Sequence, residues 1–383
     1  MKTKIQTLFI ALAIYAGINH AAAQGSLLWT AHDIPGGCSS VASSADGTKL
    51  VAVGGSPVYT STDSGITWTP QNDAPSGLGY VASSADGTKL VAASFYQGIY
   101  TSTDSGATWT LRNGTRYFQC VASSADGTKL VAGGLFSDML YTSSDSGATW
   151  TPRSTSNISD QWMSVASSAD GTKLVAAANG SGIYTSTDSG VIWKSQNIVS
   201  GQWSSVASSE NGTKLVAGNC GNPSFISTST NSGVTWTAQN TVSGYWGSVA
   251  SSADGTKLIA AAQGDQIYTS SDSGATWTPQ NIGGQCVSVA SSSDGTKFVA
   301  VDDRAGQIYT SVISNGAPTL TIAQVSNSLT ISWPYPSTGW TLQQNSDLTT
   351  TNWSTSGGVS NDGTNNFITI ILPTGNLFFR LKN

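Results

Sequence analysis

The sequence predicts an all-β fold: a seven-bladed β-propeller closed by its N-terminal strand, followed by a small β-sandwich-like domain. Three observations lead there. A phrase close to SVASSADGTKLVA occurs seven times, with its first valine at Val41, Val81, Val121, Val165, Val206, Val249 and Val289, at intervals of 40 to 44 residues. A second phrase, close to SSDSGATW, follows in six of these units. The seventh unit lacks it, and the missing piece stands at the other end of the repeat region.

Residues 1–23 read as a secretory signal peptide. Lys2 and Lys4 precede an apolar run at residues 8–16, and Ala21, Ala22 and Ala23 supply a small-residue cleavage site. No later stretch offers the roughly 18 apolar residues of a spanning helix. The expected product is therefore secreted, or held at the cell surface or in the periplasm, with no transmembrane segment.

Residues 24–316 are expected to form the propeller. Each unit contains four short segments rich in Val, Ile, Thr, Tyr or Trp and bounded by turn residues: VASS, KLVA, IYTS and ATWT. Four strands in about 40 residues suit a propeller blade. The seventh unit reaches Tyr309 and then decays, whereas Leu27, Leu28, Trp29 and Thr30 read like the fourth strand of the other units. Placing that segment in blade seven closes the ring and removes two exposed sheet edges.

The turns explain the repeated acids. Asp46, Asp86, Asp126, Asp170, Asp254 and Asp294, with Asn211 in blade five, sit in Asp-Gly type hairpins between the first two strands. Asp63, Asp104, Asp145, Asp188 and Asp272, with Asn231 in blade five, sit in the hairpin before the fourth strand. There a short side chain can accept backbone N–H bonds, glycine can supply a positive φ and the tryptophan can pack on the blade. One acid per blade around a wide rim does not converge on a substrate, so these residues are expected to be structural. The seven lysines that follow the Asp-Gly turns are expected to form a solvated ring.

The pattern Ser-x-Asp-x-Gly-x-x-Trp resembles the Asp-box of the BNR repeat. That repeat occurs in sialidases, some glycoside hydrolases, sortilin-type receptors and photosystem II assembly factors. The resemblance extends over the repeat region and implies the propeller fold, while families that share a fold need not share chemistry.

In this connectivity both near-constant hairpins emerge on one face. The loops between strands two and three and the crossovers between blades emerge on the other, and they vary. Binding residues belong on such loops. Three residues before each repeat valine stand Cys38, Leu78, Phe118, Trp162, Trp203, Trp246 and Cys286. Trp162, Trp203 and Trp246 either plug the spaces between blades or, with Tyr245, Phe118 and Tyr96 and the nearby Tyr117, Phe95 and Phe136, form a ligand-stacking surface. Cys38 and Cys286, in blades that ring closure makes neighbours, are a possible disulfide; Cys120 and Cys220 are expected to be unpaired.

Catalytic material is sparse. After residue 23, His32 is the only histidine and Glu210 the only glutamate, and the four cysteines lack zinc-site spacing, so no cofactor or metal is expected. Sialidase chemistry is not expected either. Arg112, Arg116, Arg153 and Arg304 are available, but there is no Arg-Ile-Pro motif and Glu210 falls on the constant side. A glycosidase using two aspartates among Asp160, Asp265, Asp302 and Asp303 is the enzymatic alternative, because two carboxyl groups suffice for glycoside hydrolysis. With 10% charged residues and a net charge of -5, a nucleic-acid partner is not expected. The leading expectation is a monomeric, non-enzymatic binding or scaffolding propeller for carbohydrate or a protein partner.

Residues 317–383 change composition and contain strand-like runs at 320–325, 329–333, 340–344, 353–355, 367–372 and 377–381. Their spacing suggests a small antiparallel sandwich resembling modules appended to secreted bacterial proteins.

Overall fold

The computed structural model of the protein describes residues 27–382 except 115–116, 135–138, 155–160, 197, 199–200, 240–243, 265, 281, 283–284, 314–319, 326, 335–339, 348–349, 351, 363–364 and 372–376. It divides into a unit spanning Leu27–Val312 and a second containing Ile313–Asn383.

The first unit contains seven four-stranded antiparallel sheets. Blade 1 shows the pattern: Cys38–Ser43, Leu50–Gly54, Val58–Ser61 and Thr69–Gln71 pair in sequence order. Blade 7 departs from it as expected. Cys286–Ser291, Lys297–Asp302 and Gln307–Ile313 are completed by the N-terminal strand Leu27–Asp33. The first strands of successive blades pack beside one another, which makes them the innermost.

The second strand of each blade has neighbours on both faces, so its sequence is a short continuous apolar run rather than an alternating one. Its central alanines, Ala52, Ala92, Ala132, Ala176, Ala217, Ala260 and Ala300, are fully buried. Small side chains here let the blades approach closely.

Between consecutive blades lie seven apolar clusters. Each includes a residue from the first position of an inner strand: Leu78 between blades 1 and 2, Phe118 between 2 and 3, Trp162 between 3 and 4, Trp203 between 4 and 5, and Trp246 between 5 and 6. Cys286 and Cys38 fill the corresponding places between blades 6 and 7 and between 7 and 1. Each cluster also receives one fourth-strand tryptophan, among them Trp29 from the N-terminal strand.

On the constant face a ring of backbone hydrogen bonds joins the first hairpins. Ala45 N donates to Ala85 O at 2.8 Å, Ala85 to Ala125 at 2.7 Å and Ala125 to Ala169 at 2.8 Å. The series continues from Ala169 through Glu210 and Ala253 to Ser293. The expected solvated lysine ring takes a different form. Lys49 Nζ donates to Asp86 O at 3.0 Å, and Lys89, Lys129, Lys173, Lys257 and Lys297 each make the same bond to the next blade's turn. The turn carbonyl supplies an acceptor within reach of each ammonium, so these lysines tie blades together.

The second unit has two antiparallel sheets. One contains Thr321–Val325, Ser328–Pro334, Asn365–Ile371 and Ser360–Asn361; the other contains Ser354–Thr355, Thr341–Asn345 and Phe378–Lys382. Ile331, Trp333, Leu342 and Ile368 form its buried core. Arg380 stacks 4.2 Å over the Trp353 ring and donates through its Nε to Gln343 Oε1 at 3.0 Å. Among the described residues, no helix is long and apolar enough to cross a membrane.

Candidate functional site on the variable loops

The repeated acids have local partners. In blade 1, Asp63 Oδ1 accepts from Ser61 Oγ at 2.8 Å and from Thr67 N at 2.9 Å, while Oδ2 accepts from Thr67 Oγ1 at 2.6 Å. These bonds, the Thr67 hydroxyl first, hold the carboxyl down at about 2. Asp104, Asp145 and Asp272 repeat the arrangement, and Asn231 accepts the equivalent Thr235 N–H bond. Asp188 keeps the backbone bond, but Ile192 stands where the others have a threonine hydroxyl. The serine after each of these residues, Ser64 through Ser273, has positive φ together with its glycine. The motif points to glycine for that conformation, and the structure adds the serine before it.

His32 and two arginines are also accounted for. In every blade a fourth-strand side chain meets a third-strand threonine hydroxyl: Gln71 with Thr60, Arg112 with Thr101, Arg153 with Thr142, Gln196 with Thr185, Gln239 with Thr228, Gln280 with Thr269 and His32 with Thr310. His32 Nε2 lies 3.0 Å from Thr310 Oγ1, and burial pushes its pKa below the ordinary value. The lone histidine is blade 7's version of a shared structural contact.

The aromatic arc requires a correction. Trp162, Trp203, Trp246 and Phe118 are each 0% exposed. Their rings lie between blades and meet a neighbouring aromatic edge-on, Trp162 with Tyr184 and Trp203 with Phe225, so they offer no face to a ligand. The disulfide requires one as well: Cys38 and Cys286 are free thiols, as are Cys120 and Cys220. Rotational repetition explains this, because equivalent positions point the same way around the ring. Cys38 enters the blade 7/1 interface and Cys286 the blade 6/7 interface, so the two do not face each other.

The proposed carboxylate pair is not assembled within the described residues. Asp302 is buried and accepts three backbone N–H bonds: from Gln285 at 2.7 Å, Arg304 at 2.9 Å and Ala305 at 3.0 Å. It organises two loops. Asp303 and Arg304 are exposed. Asp160, Asp265, Arg116 and Phe136 lie outside the described residues.

An exposed aromatic cluster stands elsewhere on the variable face, at blades 2 and 3. Tyr80 meets Phe95 edge-on at 5.4 Å between centroids, Phe95 lies 6.4 Å from Tyr96, and Tyr96 meets Tyr117 at 6.1 Å and 85°. Tyr80 and Phe95 are half-buried, whereas Tyr96 is 82% and Tyr117 49% exposed. Tyr245 is also exposed, on the crossover into blade 6.

The cluster is held from below. Phe95 covers Gly79 so closely that a Cβ there would lie 2.6 Å from its ring. Ser94 Oγ accepts from Tyr96 N at 3.4 Å and Gln97 N at 3.2 Å, and Gln97 Oε1 accepts from Tyr100 at 3.0 Å. Gly98, at φ 97°, lies against the second loop; an added Cβ would be 1.7 Å from Asn113 O. Sequence comparison among the blades identifies the two variable loops. It does not identify this contact between them, which arises from the close approach at Gly98.

No family model matches the chain, and no curated protein sequence matches it. Solved structures do. A GH74 xyloglucanase from Xanthomonas campestris superposes with a TM-score of 0.58 at 15% identity, covering 81% of this chain and 60% of that one. YCF48 bound to a D1 peptide gives 0.58 at 17%, covering 74% and 96%. An ancestral GH74 enzyme gives 0.59 at 14%, covering 82% and 51%. The chain thus spans only about half to three fifths of the two GH74 enzymes. At these identities the likeness establishes the propeller fold.

Proposed function

We propose that this protein is an exported, non-enzymatic binding propeller that captures its ligand on the variable loops of blades 2 and 3. The observation that carries this reading is the supported, solvent-facing cluster of Tyr96 and Tyr117. Large aromatic rings bring much apolar contact area and a polar end, which favours them at binding surfaces. The neighbours suggest two ligand classes, a glycan by way of the xyloglucanase and a peptide by way of the YCF48 complex.

Binding should be measured by calorimetry with both ligand classes, for the wild type and a Tyr96→Ala/Tyr117→Ala double variant of equal thermal stability. Loss of affinity in the double variant supports the reading. Undiminished affinity sinks it.

A second reading, a glycoside hydrolase, draws on the GH74 neighbours and on the exposed Asp303. Release of reducing ends from xyloglucan by wild type but not by Asp303→Asn would favour it over binding alone.

A further inference from the structure

The geometry points to a saccharide, rather than a peptide, as the ligand of the aromatic cluster; this inference rests on the binding reading above. Peptide recognition commonly uses main-chain hydrogen bonds, offered by a free strand edge or loop amides. Here the amides of Tyr96 and Gln97 are already given to Ser94 Oγ. What the loops offer instead is side-chain chemistry. Neither phenol hydroxyl has a partner among the described residues, and both rings are open to solvent.

Tyr96 and Tyr117 stand at 85° to each other, 6.1 Å apart. A right-angled pair forms a corner in which one ring presents its face and the other its edge. A pyranose suits such a corner because its C–H faces are apolar while its equatorial hydroxyls radiate from the rim and can bond the phenols.

Charge is consistent with this. Neither loop contains an acidic residue, Arg112 gives its Nε to Thr101 at 2.8 Å, and Arg116, outside the described residues, is the one cation in the two loop sequences. Pre-organisation favours a weakly binding neutral ligand, since the Ser94–Gly98 loop that carries Tyr96 needs little ordering when it arrives. Phe95 over Gly79 and the close approach at Gly98 supply that rigidity.

The test is calorimetric titration of the full chain with cellohexaose, xylohexaose and mannohexaose, and in parallel with a proline-rich peptide, the class that aromatic grooves favour. At least one hexasaccharide should bind. Tyr96→Ala and Tyr117→Ala should each weaken it about 5- to 10-fold, the size of one aromatic contact, and the Phe variants should fall between. Peptide binding lost in the Ala variants, with no hexasaccharide bound, overturns the saccharide and leaves the loop site standing. Saccharide binding untouched by both substitutions overturns the inference and the loop site together. No binding of any probe at about ten millimolar, a Kd scale worth less than 3 kcal/mol, also overturns the inference.

Discussion

The backbone amide of Ser293 donates to the carbonyl of Ala45 at 2.7 Å, joining the last first-hairpin of the propeller to the first. Lys297 repeats the link beside it, donating to Asp46 O at 2.9 Å. Ring closure thus has two layers, these turn contacts on the constant face and the strand exchange that completes blade 7.

Removing residues 25–33 tests the strand exchange. The deletion takes away Trp29 and the His32 contact and uncovers the edge of Gln307–Ile313. An unpaired edge strand templates association. We expect oligomers by size exclusion and a lower thermal midpoint; a monomer of unchanged stability would contradict the closure.

The buried tryptophans separate stability from binding. Trp203→Ala should cost about 3 to 5 kcal/mol in denaturant unfolding, the usual cost of emptying a large core site, because Trp203 is wholly buried. Saccharide or peptide affinity at equal folded fraction should not change. A stable Trp203→Ala protein with reduced affinity would return the arc to the ligand site.

Thiol reactivity should distinguish the cysteines. Burial raises Cys38 to about 11 and Cys120 and Cys286 to about 12, and their side chains are inaccessible. Thiolate is the reactive form. In native protein at neutral pH only Cys220 should react with a disulfide reagent, and all four should react after denaturation. Two thiols missing from the denatured count would indicate a bridge.

Acid should weaken the fold within a definite window. Asp46, Asp63, Asp86, Asp126, Asp145, Asp170 and Asp254 are depressed to about 2. A carboxyl with a lower pKa folded than unfolded contributes its stability above the unfolded value, near 4, and loses it as pH falls through the folded one. The thermal midpoint should therefore be flat with respect to these groups above about pH 5 and fall between roughly 4 and 2. Replacing Asp63 by Asn, the amide already used at Asn231, should shrink that fall. An unchanged acid limb would show that hairpin ionisation does not control it.

Most of the fold was legible because repetition states each rule seven times. Valine spacing, the Asp-Gly hairpins and the displaced Trp29 strand all translate into the observed sheets. The site was less legible for the opposite reason. Tyr96 and Tyr117 occur in loops whose sequences differ from blade to blade, and their contact depends on the packing of Phe95 over Gly79 and on Gly98. The tryptophan arc left two readings open, because periodicity gives the position of a side chain along a strand but not whether it enters a blade interface, and the interface is the one observed. The same limitation applies to Cys38 and Cys286: neighbouring blades suggested a bridge, and their common orientation around the axis prevents it.

The hairpin ring also differs from other hydrogen-bonded backbone in having no ends. An α-helix leaves four amides and four carbonyls unsatisfied at its termini, and fraying begins there. In the circuit from Ala45 round to Ser293 every blade is both donor and acceptor, so there is no terminus from which to unravel. Opening must begin with an interior break, and any blade that tilts away strains a bond on each side of it. The constant face therefore acts as a hoop, fixing the blade spacing on which the opposite rim, with Tyr96 and Tyr117, is built.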